Sequence, residues 1–489
     1  ELKITASGIR GLEEKCLLKI ERELDYRNPV SKGEDRKNLE SSPLSPAQKE
    51  VCREIFAEWE TEHPRPCLIK GVTGSGKTEV YMELITHVLE QGQQVIVLIP
   101  EIALTYQNVS RFYRRFGDCV SLINSRLSKG ERFDQFERAK KGEVSIVIGP
   151  RSALFTPFPN LGLILIDEEH EDSYKSEKTP CYHARETAIR RGEMEGAHVV
   201  LGSASPSVES YYKGKTGEYK LLYLEERYGG SRLPQVFVVD LKEELKTGNR
   251  SMFSSVLTEK IRDRLQRKEQ VMLFLNRRGY TGFVSCRSCG HVMKCPHCDV
   301  SLTSHRNGRL ICHYCGYETW DVSKCPVCGS PYIGGFKAGT QQIEVLLQKS
   351  FPGAGVLRMD ADTTKKKDDH EKILAAFARG EADILIGTQM IVKGHDFPNV
   401  TLVGALAADL SLCSEDYRAA EKTFQLLLQA VGRAGRGQRA GEAVIQTYHP
   451  EHYSILAAQT QNYEDFYQQE IRYRMLMDYP PAAAMAAVR

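Results

Sequence analysis

The residues with the clearest chemical potential are eight in a row, Gly71-Val72-Thr73-Gly74-Ser75-Gly76-Lys77-Thr78. They satisfy the G-x-x-x-x-G-K-[ST] pattern in full. A short apolar run, Cys67-Leu68-Ile69, precedes them, and a helical apolar pattern (Val80, Leu84, Ile85, Val88) follows. In that setting the glycines let the backbone curl until its N–H groups face phosphate oxygens, and the helix N-terminus adds partial positive charge. Lys77 can reach the β- and γ-phosphates, and the Thr78 hydroxyl can hold Mg2+. Without a flanking strand and helix the same octet would read as a glycine-rich turn. With them it reads as a site for a nucleoside triphosphate.

A second chemical group ends an apolar run at 163–166: Asp167-Glu168-Glu169-His170. A carboxylate at the end of a buried strand is the expected partner of a phosphate loop. Asp167 would hold Mg2+, and Glu168 would orient and deprotonate the attacking water. Glu169 and His170 would link the site to its neighbours. Far along the chain, Gln429-Ala430-Val431-Gly432-Arg433-Ala434-Gly435-Arg436-Gly437 closes a helical pattern. Arg433 and Arg436 lie three apart and share a face. Aimed from a second lobe at the phosphate loop they would act as arginine fingers. From these residues alone, two exposed arginines near a helix end read equally well. Gln48, early in a helix opened by Leu44-Ser45-Pro46, could reach an adenine edge or simply face water. The segments 100–105 and 149–155, the latter with Arg151, could hold phosphodiester oxygens or be ordinary turns. The 172–185 segment mixes Tyr174 and Tyr182 with Lys175, Lys178 and Arg185. It could stack on unpaired bases, or form a solvated loop with two packing tyrosines.

The third group is metal-binding. Of 14 Cys, eight form four C-x-x-C pairs: 286/289, 295/298, 312/315 and 325/328. Without a secretory signal, that pattern indicates thiolate zinc ligands, not disulfides, and a reducing cytoplasm. The inner pairs, Cys295, Cys298, Cys312 and Cys315, have near-ribbon spacing. The outer pairs, Cys286, Cys289, Cys325 and Cys328, then close a second site around them. Closed sites in which cysteine supplies every ligand are structural centres, so the insert is a rigid recognition module.

The elements that must position these groups follow from periodicity. Strand-like runs at 95–99, 120–123, 145–148, 163–166 and 198–201 alternate with helical stretches, and a second alternation occupies 271–275, 356–359, 384–386, 401–403 and 444–446. Continuous apolar strands between helices imply parallel sheets covered on both faces, with ligands at the C-terminal strand ends. The chain therefore reads as α/β, with two RecA-like parallel-sheet lobes and a Cys-rich zinc insert in the second. The expected boundaries are 1–30, tail of a preceding winged-helix-like domain; 31–43, linker; 44–226, lobe 1; 227–284 and 334–450, lobe 2; 285–333, zinc insert; and 451–489, start of a truncated C-terminal domain. The 489 residues are 41% hydrophobic and 27% charged with net charge +2, so a nucleic-acid surface must be local. No apolar run is long enough to span a bilayer. The first residues resemble neither a signal nor a transit peptide. The chain reads as a fragment of a longer protein.

Together these motifs resemble superfamily-2 helicases, and within them the PriA family of primosomal replication-restart helicases. The resemblance covers 44–489 and rests on GVTGSGKTEVY, GPRSALF, LILIDEEH, the split zinc insert, IGTQMIVKGHDFP and QAVGRAGRG. It implies that Lys77, Thr78, Asp167 and Glu168 hydrolyse ATP while Arg433 and Arg436 sense the γ-phosphate. It implies that Gln48 contacts the nucleotide, that Gly394 and Asp396 line the inter-lobe cleft, and that Arg151 with Tyr174, Lys175, Tyr182 and Arg185 couples DNA to ATP. The implied cofactors are ATP, Mg2+ and two Zn2+. The implied activity is 3′-to-5′ unwinding at stalled forks with primosome assembly. The implied partners are single-stranded and forked DNA, primosome proteins and single-stranded-DNA-binding protein, with no membrane. The family's N-terminal DNA-binding domain and most of its C-terminal domain are missing from the pattern. Two other readings stay open: a duplex translocase that separates no strands, and a non-catalytic zinc and nucleic-acid scaffold.

Overall fold

In the computed structural model, two parallel sheets form the frame. The structure describes Leu12, Lys15, Leu17 and residues 43–485, apart from 105, 126, 228–232, 276–283, 298–300, 306–307, 314, 336–338, 365–368, 393–396, 413–415 and 436–438. The tail and linker expected over 1–43 fall almost wholly outside these residues, as do Cys298, Gly394, Asp396 and Arg436.

Lobe 1 contains strands β1 (Cys67–Gly71), β2 (Gln94–Leu98), β3 (Val120–Leu122), β4 (Ile146–Gly149), β5 (Leu161–Asp167), β6 (His198–Ser203) and β7 (Lys220–Leu224), in the order β3-β4-β2-β5-β6-β1-β7. The β-branched and Leu-rich centre of this sheet is buried on both faces, which is why its strands read as continuous apolar runs. Val51, Ile55, Val80, Leu84, Ile85 and Val88 pack helices α1 (Pro46–Trp59) and α2 (Lys77–Glu90) on one face. On the other face, Leu68, Ile164 and Ile166 meet Ala184 and Ala188. All strand pairs in this sheet are parallel, so the C-terminal ends of β1, β5 and β6 lie side by side. That places the phosphate loop, the acidic group and the 202–207 loop at one edge.

Lobe 2 contains β8 (Gln235–Asp240), β9 (Gln270–Leu275), β10 (Val356–Met359), β11 (Ile384–Gly387), β12 (Val400–Leu406) and β13 (Glu442–Thr447), ordered β8-β13-β12-β9-β11-β10 and again parallel. The insert hangs from a two-stranded stem, Val284–Cys286 against Ile333–Gly335, and carries a three-stranded antiparallel sheet. Arg287 Nε donates to Tyr448 Oη at 3.1 Å, fixing the stem to the end of β13.

The lobes are joined by more than a linker. Helix α3 (Val208–Thr216) follows β6, yet its Val208 and Tyr211 belong to the core of lobe 2. Helix α4 (Ala419–Val431) lies in that core with α5 (Tyr453–Thr460) and α6 (Tyr463–Leu476). Phe424 stacks on Phe466 with centroids 4.3 Å apart. The 451–489 segment, expected to open another domain, thus supplies two helices to the core between the lobes.

Candidate nucleotide site and zinc centres

The phosphate loop has the required backbone. Gly74 and Gly76 adopt φ of 83° and 79°, left-handed values that a side chain disfavours. Gly76 is the N-cap residue of α2, so Lys77 and Thr78 occupy its first turn, at the positive end of the helix dipole. Lys77 Nζ donates to Gly71 O at 2.7 Å. The Ser75 hydroxyl is buried without a hydrogen-bond partner among the described residues, as a group lining a polar-ligand cradle would be. The loop therefore fits a triphosphate.

Gln48 sits behind this loop. It is buried and closes a capping box, its Oε1 accepting Ser45 N–H at 2.8 Å. Its Nε2 lies 3.2 Å from both Ser75 O and Gly76 O. The amide braces the cradle, and any contact with a base would be made from that position.

Asp167 closes β5 beside Lys77 and accepts the Tyr81 hydroxyl at 3.0 Å. Burial, followed by the neighbouring Glu168 carboxylate, pushes its carboxyl up to about 6, against the pull of Lys77 and Tyr81. A folded-state value above the ordinary carboxylate range means that the native chain binds this proton more tightly than the unfolded chain does. Stability is then lost as pH rises between about 4 and 6, the window between unfolded and folded values. Asp167→Asn should therefore raise stability at pH 8 by about 1–2 kcal/mol, a few degrees in Tm, with no gain at pH 4. Thermal melts at the two pH values measure this, and ATP turnover should be lost in the same variant.

Glu168 takes a left-handed φ of 47°, a strain that persists at sites where a side chain must be aimed. Its Oε2 is buried without a hydrogen-bond donor among the described residues and lies 3.6 Å from His170 Nδ1. His170 links three elements. Gln429 of α4 meets its Nε2 at 2.9 Å, and Ser203 Oγ at the end of β6 meets its Nδ1 at 2.7 Å. With the Gln429 amide donating to Nε2, the ring gives its Nδ1 hydrogen to Ser203. Glu169 faces the other way. Its carboxylate accepts Arg185 Nη1 at 2.8 Å, Ser210 Oγ at 2.8 Å and Ser207 N–H at 2.6 Å.

These contacts correct part of the base-stacking expectation for 172–185. Tyr174 is only 1% exposed, with its hydroxyl 2.7 Å from Asp167 O and 3.0 Å from Leu98 O. Arg185 is buried in its pair with Glu169. Neither can meet a base or a DNA phosphate; both hold the acidic turn. Arg151 Nη1 donates to Ser173 O and Lys175 O at 2.8 and 2.6 Å, pinning the loop from outside. Lys175 is exposed and Tyr182 half-buried against Phe155, so these two can face a strand.

From lobe 2, Gly432 packs directly on the phosphate loop. A Cβ there would lie 2.9 Å from Thr73 Cβ and Oγ1, so only glycine permits this approach. Arg433 follows, its Nε donating to Val392 O at 2.7 Å at the end of the 389–392 turn. Sequence reasoning missed Tyr81 as a partner of Asp167, although its i+4 relation to Lys77 on α2 was available as a signal. It also gave no role to Gln429 or Glu421.

In the insert, the outer thiols Cys286, Cys289, Cys325 and Cys328 converge within 4.8 Å, as do Cys295, Cys312 and Cys315 of the inner set. The Sγ separations Cys286–Cys328, Cys289–Cys325 and Cys295–Cys315 are 3.6, 3.7 and 3.6 Å. A zinc tetrahedron with sulfur bonds near 2.3 Å has edges of about 3.8 Å. The donor set and its spacing fit zinc, with the outer pairs closing one centre around the other.

Comparison with known proteins agrees with this geometry. A family model described as the res subunit of type III restriction enzymes matches residues 41–198. The helicase conserved C-terminal domain matches 335–438, and the PriA DNA helicase Cys-rich region matches 295–319. The replication restart protein PriA of Bacillus subtilis (strain 168) is 50% identical over 99% of this chain and 60% of its own length. The proteins of the same name from Synechocystis and Haemophilus influenzae are 46% and 39% identical, over 92% and 94% of this chain and 55% and 62% of their own. The chain thus spans about three-fifths of these curated relatives. Among solved structures, RecG bound to a three-way DNA junction superposes with a TM-score of 0.52 at 18% identity, covering 91% of this chain and 48% of that one. The DUF1998 helicase MrfA bound to DNA gives 0.52 at 14%, covering 91% and 52%. These two share the fold. No helix among the described residues is long and apolar enough to cross a membrane. With two helicase lobes, the cysteine insert and this identity along nearly its whole length, the chain belongs to the PriA family of replication restart helicases.

Proposed function

We propose that this chain is an ATP-driven DNA motor that separates strands 3′ to 5′, remodels stalled forks and starts primosome assembly. Support comes chiefly from one observation: Gly432 of lobe 2 lies against Thr73 of the phosphate loop, so the Arg433–Arg436 segment begins at the nucleotide cleft. Thr78 and Asp167 would hold Mg2+, which screens phosphate charge when bound. Lys77 binds the β- and γ-phosphates. Glu168 takes the proton of the water attacking the γ-phosphorus. Arg433, with Arg436, stabilises the charge that develops there. By family resemblance, Gly394 and Asp396 would line the same cleft. Loss of the γ-phosphate removes the group both lobes grip, and the lobes shift relative to each other. The His170–Gln429 bond and the Arg151-pinned loop carry that shift toward a strand held near Lys175 and Tyr182. Two Zn2+ ions keep the insert rigid for recognition of forked DNA or protein. The family resemblance supplies the remaining partners, primosome proteins and single-stranded-DNA-binding protein, and a cytoplasmic setting. The domain boundaries are proposed as read above, with 453–476 assigned to the inter-lobe core.

Strand displacement tests this reading. A duplex with a 3′ single-stranded tail should be unwound in ATP and Mg2+, and one with a 5′ tail should not. ATP turnover without displacement on either substrate would favour the duplex translocase.

A further inference from the structure

Arg474 is the largest fully buried side chain among the described residues, yet it lies on a helix remote in sequence from every nucleotide motif. An ion with no access to water is costly unless charged partners surround it. Here they come from three elements. On its own helix α6, Glu470 accepts Nε at 2.8 Å; from α4 in lobe 2, Glu421 accepts Nη2 at 2.7 Å; from α3 after lobe 1, Glu209 accepts Nη1 at 3.3 Å. Glu421 is itself shared. Its other oxygen accepts the Val208 N–H at the start of α3 at 2.9 Å, and Arg418 Nε lies 3.4 Å from the first. Despite burial, which pushes it up, Arg418 and Arg474 hold the Glu421 carboxyl down at about 2. A second clasp lies alongside, where Tyr463 donates its hydroxyl to Pro206 O at 2.8 Å.

Helix α4 is the connecting element. Its 13 residues form a rod of about 20 Å. Glu421 sits in its first turn; Gln429, Gly432 and Arg433 lie at its far end against His170, Thr73 and Val392. Moving one end of a stiff helix tilts the other.

We propose that Arg474 is a positioning residue for ATP hydrolysis: by tying α6 to Glu421 and Glu209 it fixes the pitch of α4 against α3, and so the placement of Arg433 at the phosphate loop. The inference rests on the motor reading above. It makes the α5–α6 pair a strut across the two lobes, through which anything that displaces α6 would weaken hydrolysis.

Two readouts test it. Amide exchange in peptides covering 208–216 and 419–431 should be about tenfold faster in Arg474→Gln, because the Val208 amide loses an anchored acceptor. This holds whether or not the chain turns over ATP. In DNA-stimulated turnover, kcat should fall about tenfold with KM for ATP changed less than twofold, and Arg474→Lys should recover part of both effects. If Arg474→Gln does not fold, Glu209→Gln removes one arm and should give about a twofold change in the same exchange and kcat. Unchanged exchange and kcat in a folded variant would overturn the proposal. A wild-type chain without ATP turnover but with faster exchange in the variant would overturn the motor reading instead.

Discussion

Arg433→Ala should lower DNA-stimulated ATP turnover by about a thousandfold while leaving nucleotide affinity within a few-fold of wild type. A guanidinium that meets charge only as it develops on the transferring phosphoryl group contributes to kcat and little to ground-state binding, and arginine fingers contribute about 10³ or more. The residue is placed for this role by Gly432, which can approach Thr73 only because it has no side chain. Turnover under saturating ATP, alongside binding of a fluorescent nucleotide, separates the two quantities. Loss of binding with kcat retained would assign Arg433 to simple affinity.

The second large effect belongs to Lys77. Lys77→Ala removes the cation at the head of α2, whose ammonium now rests on Gly71 O inside the loop. Both the bound triphosphate and the transition state lose a charge-assisted contact in a partly buried site, so kcat/KM should fall by at least about a hundredfold. The fold should hold, because Lys77 takes no part in the apolar contacts of α2 with β1 and β2, which come from Val80, Leu84, Ile85 and Val88. Equal ATPase rates in wild type and Lys77→Ala would remove the motor reading and favour the scaffold.

The features legible in the sequence were those whose chemistry is local. The phosphate loop, the Asp167–Glu168 pair and the four C-x-x-C pairs each need a fixed short spacing, and spacing survives in a string of letters. The alternation of buried strands was legible for the same reason, since strands covered on both faces are apolar throughout. Strand β7 was missed because it is an edge strand, with Tyr223 exposed and Lys220 half-buried, so its run Lys-Leu-Leu-Tyr-Leu lacks that signal. Strand β8 was missed because it is only half-buried and follows directly on a Gly-, Ser- and Pro-containing stretch that interrupts the apolar signal.

Burial was the harder quantity. A loop with tyrosines and basic residues has the composition of a nucleic-acid surface, yet Tyr174 and Arg185 are consumed in holding the acidic turn. Whether Arg185 faces DNA or Glu169 depends on where α3 lies, and no residue near 185 records that. The inter-lobe contacts are less legible still. Gln429 and His170 are 259 positions apart, and only the packing of two sheets brings them to 2.9 Å. The role of 453–476 was hidden likewise: the partners of its two helices belong to both lobes, and nothing within the segment records them.

Hydrolysis as proposed requires that the cradle on lobe 1 be completed by a cation from lobe 2. A structure of the chain with a non-hydrolysable ATP analogue, Mg2+ and a single-stranded oligonucleotide measures this directly. An Arg433 guanidinium nitrogen should lie within about 3 Å of a γ-phosphate oxygen. An Arg433 still turned to Val392, with solvent between it and the nucleotide, would contradict it.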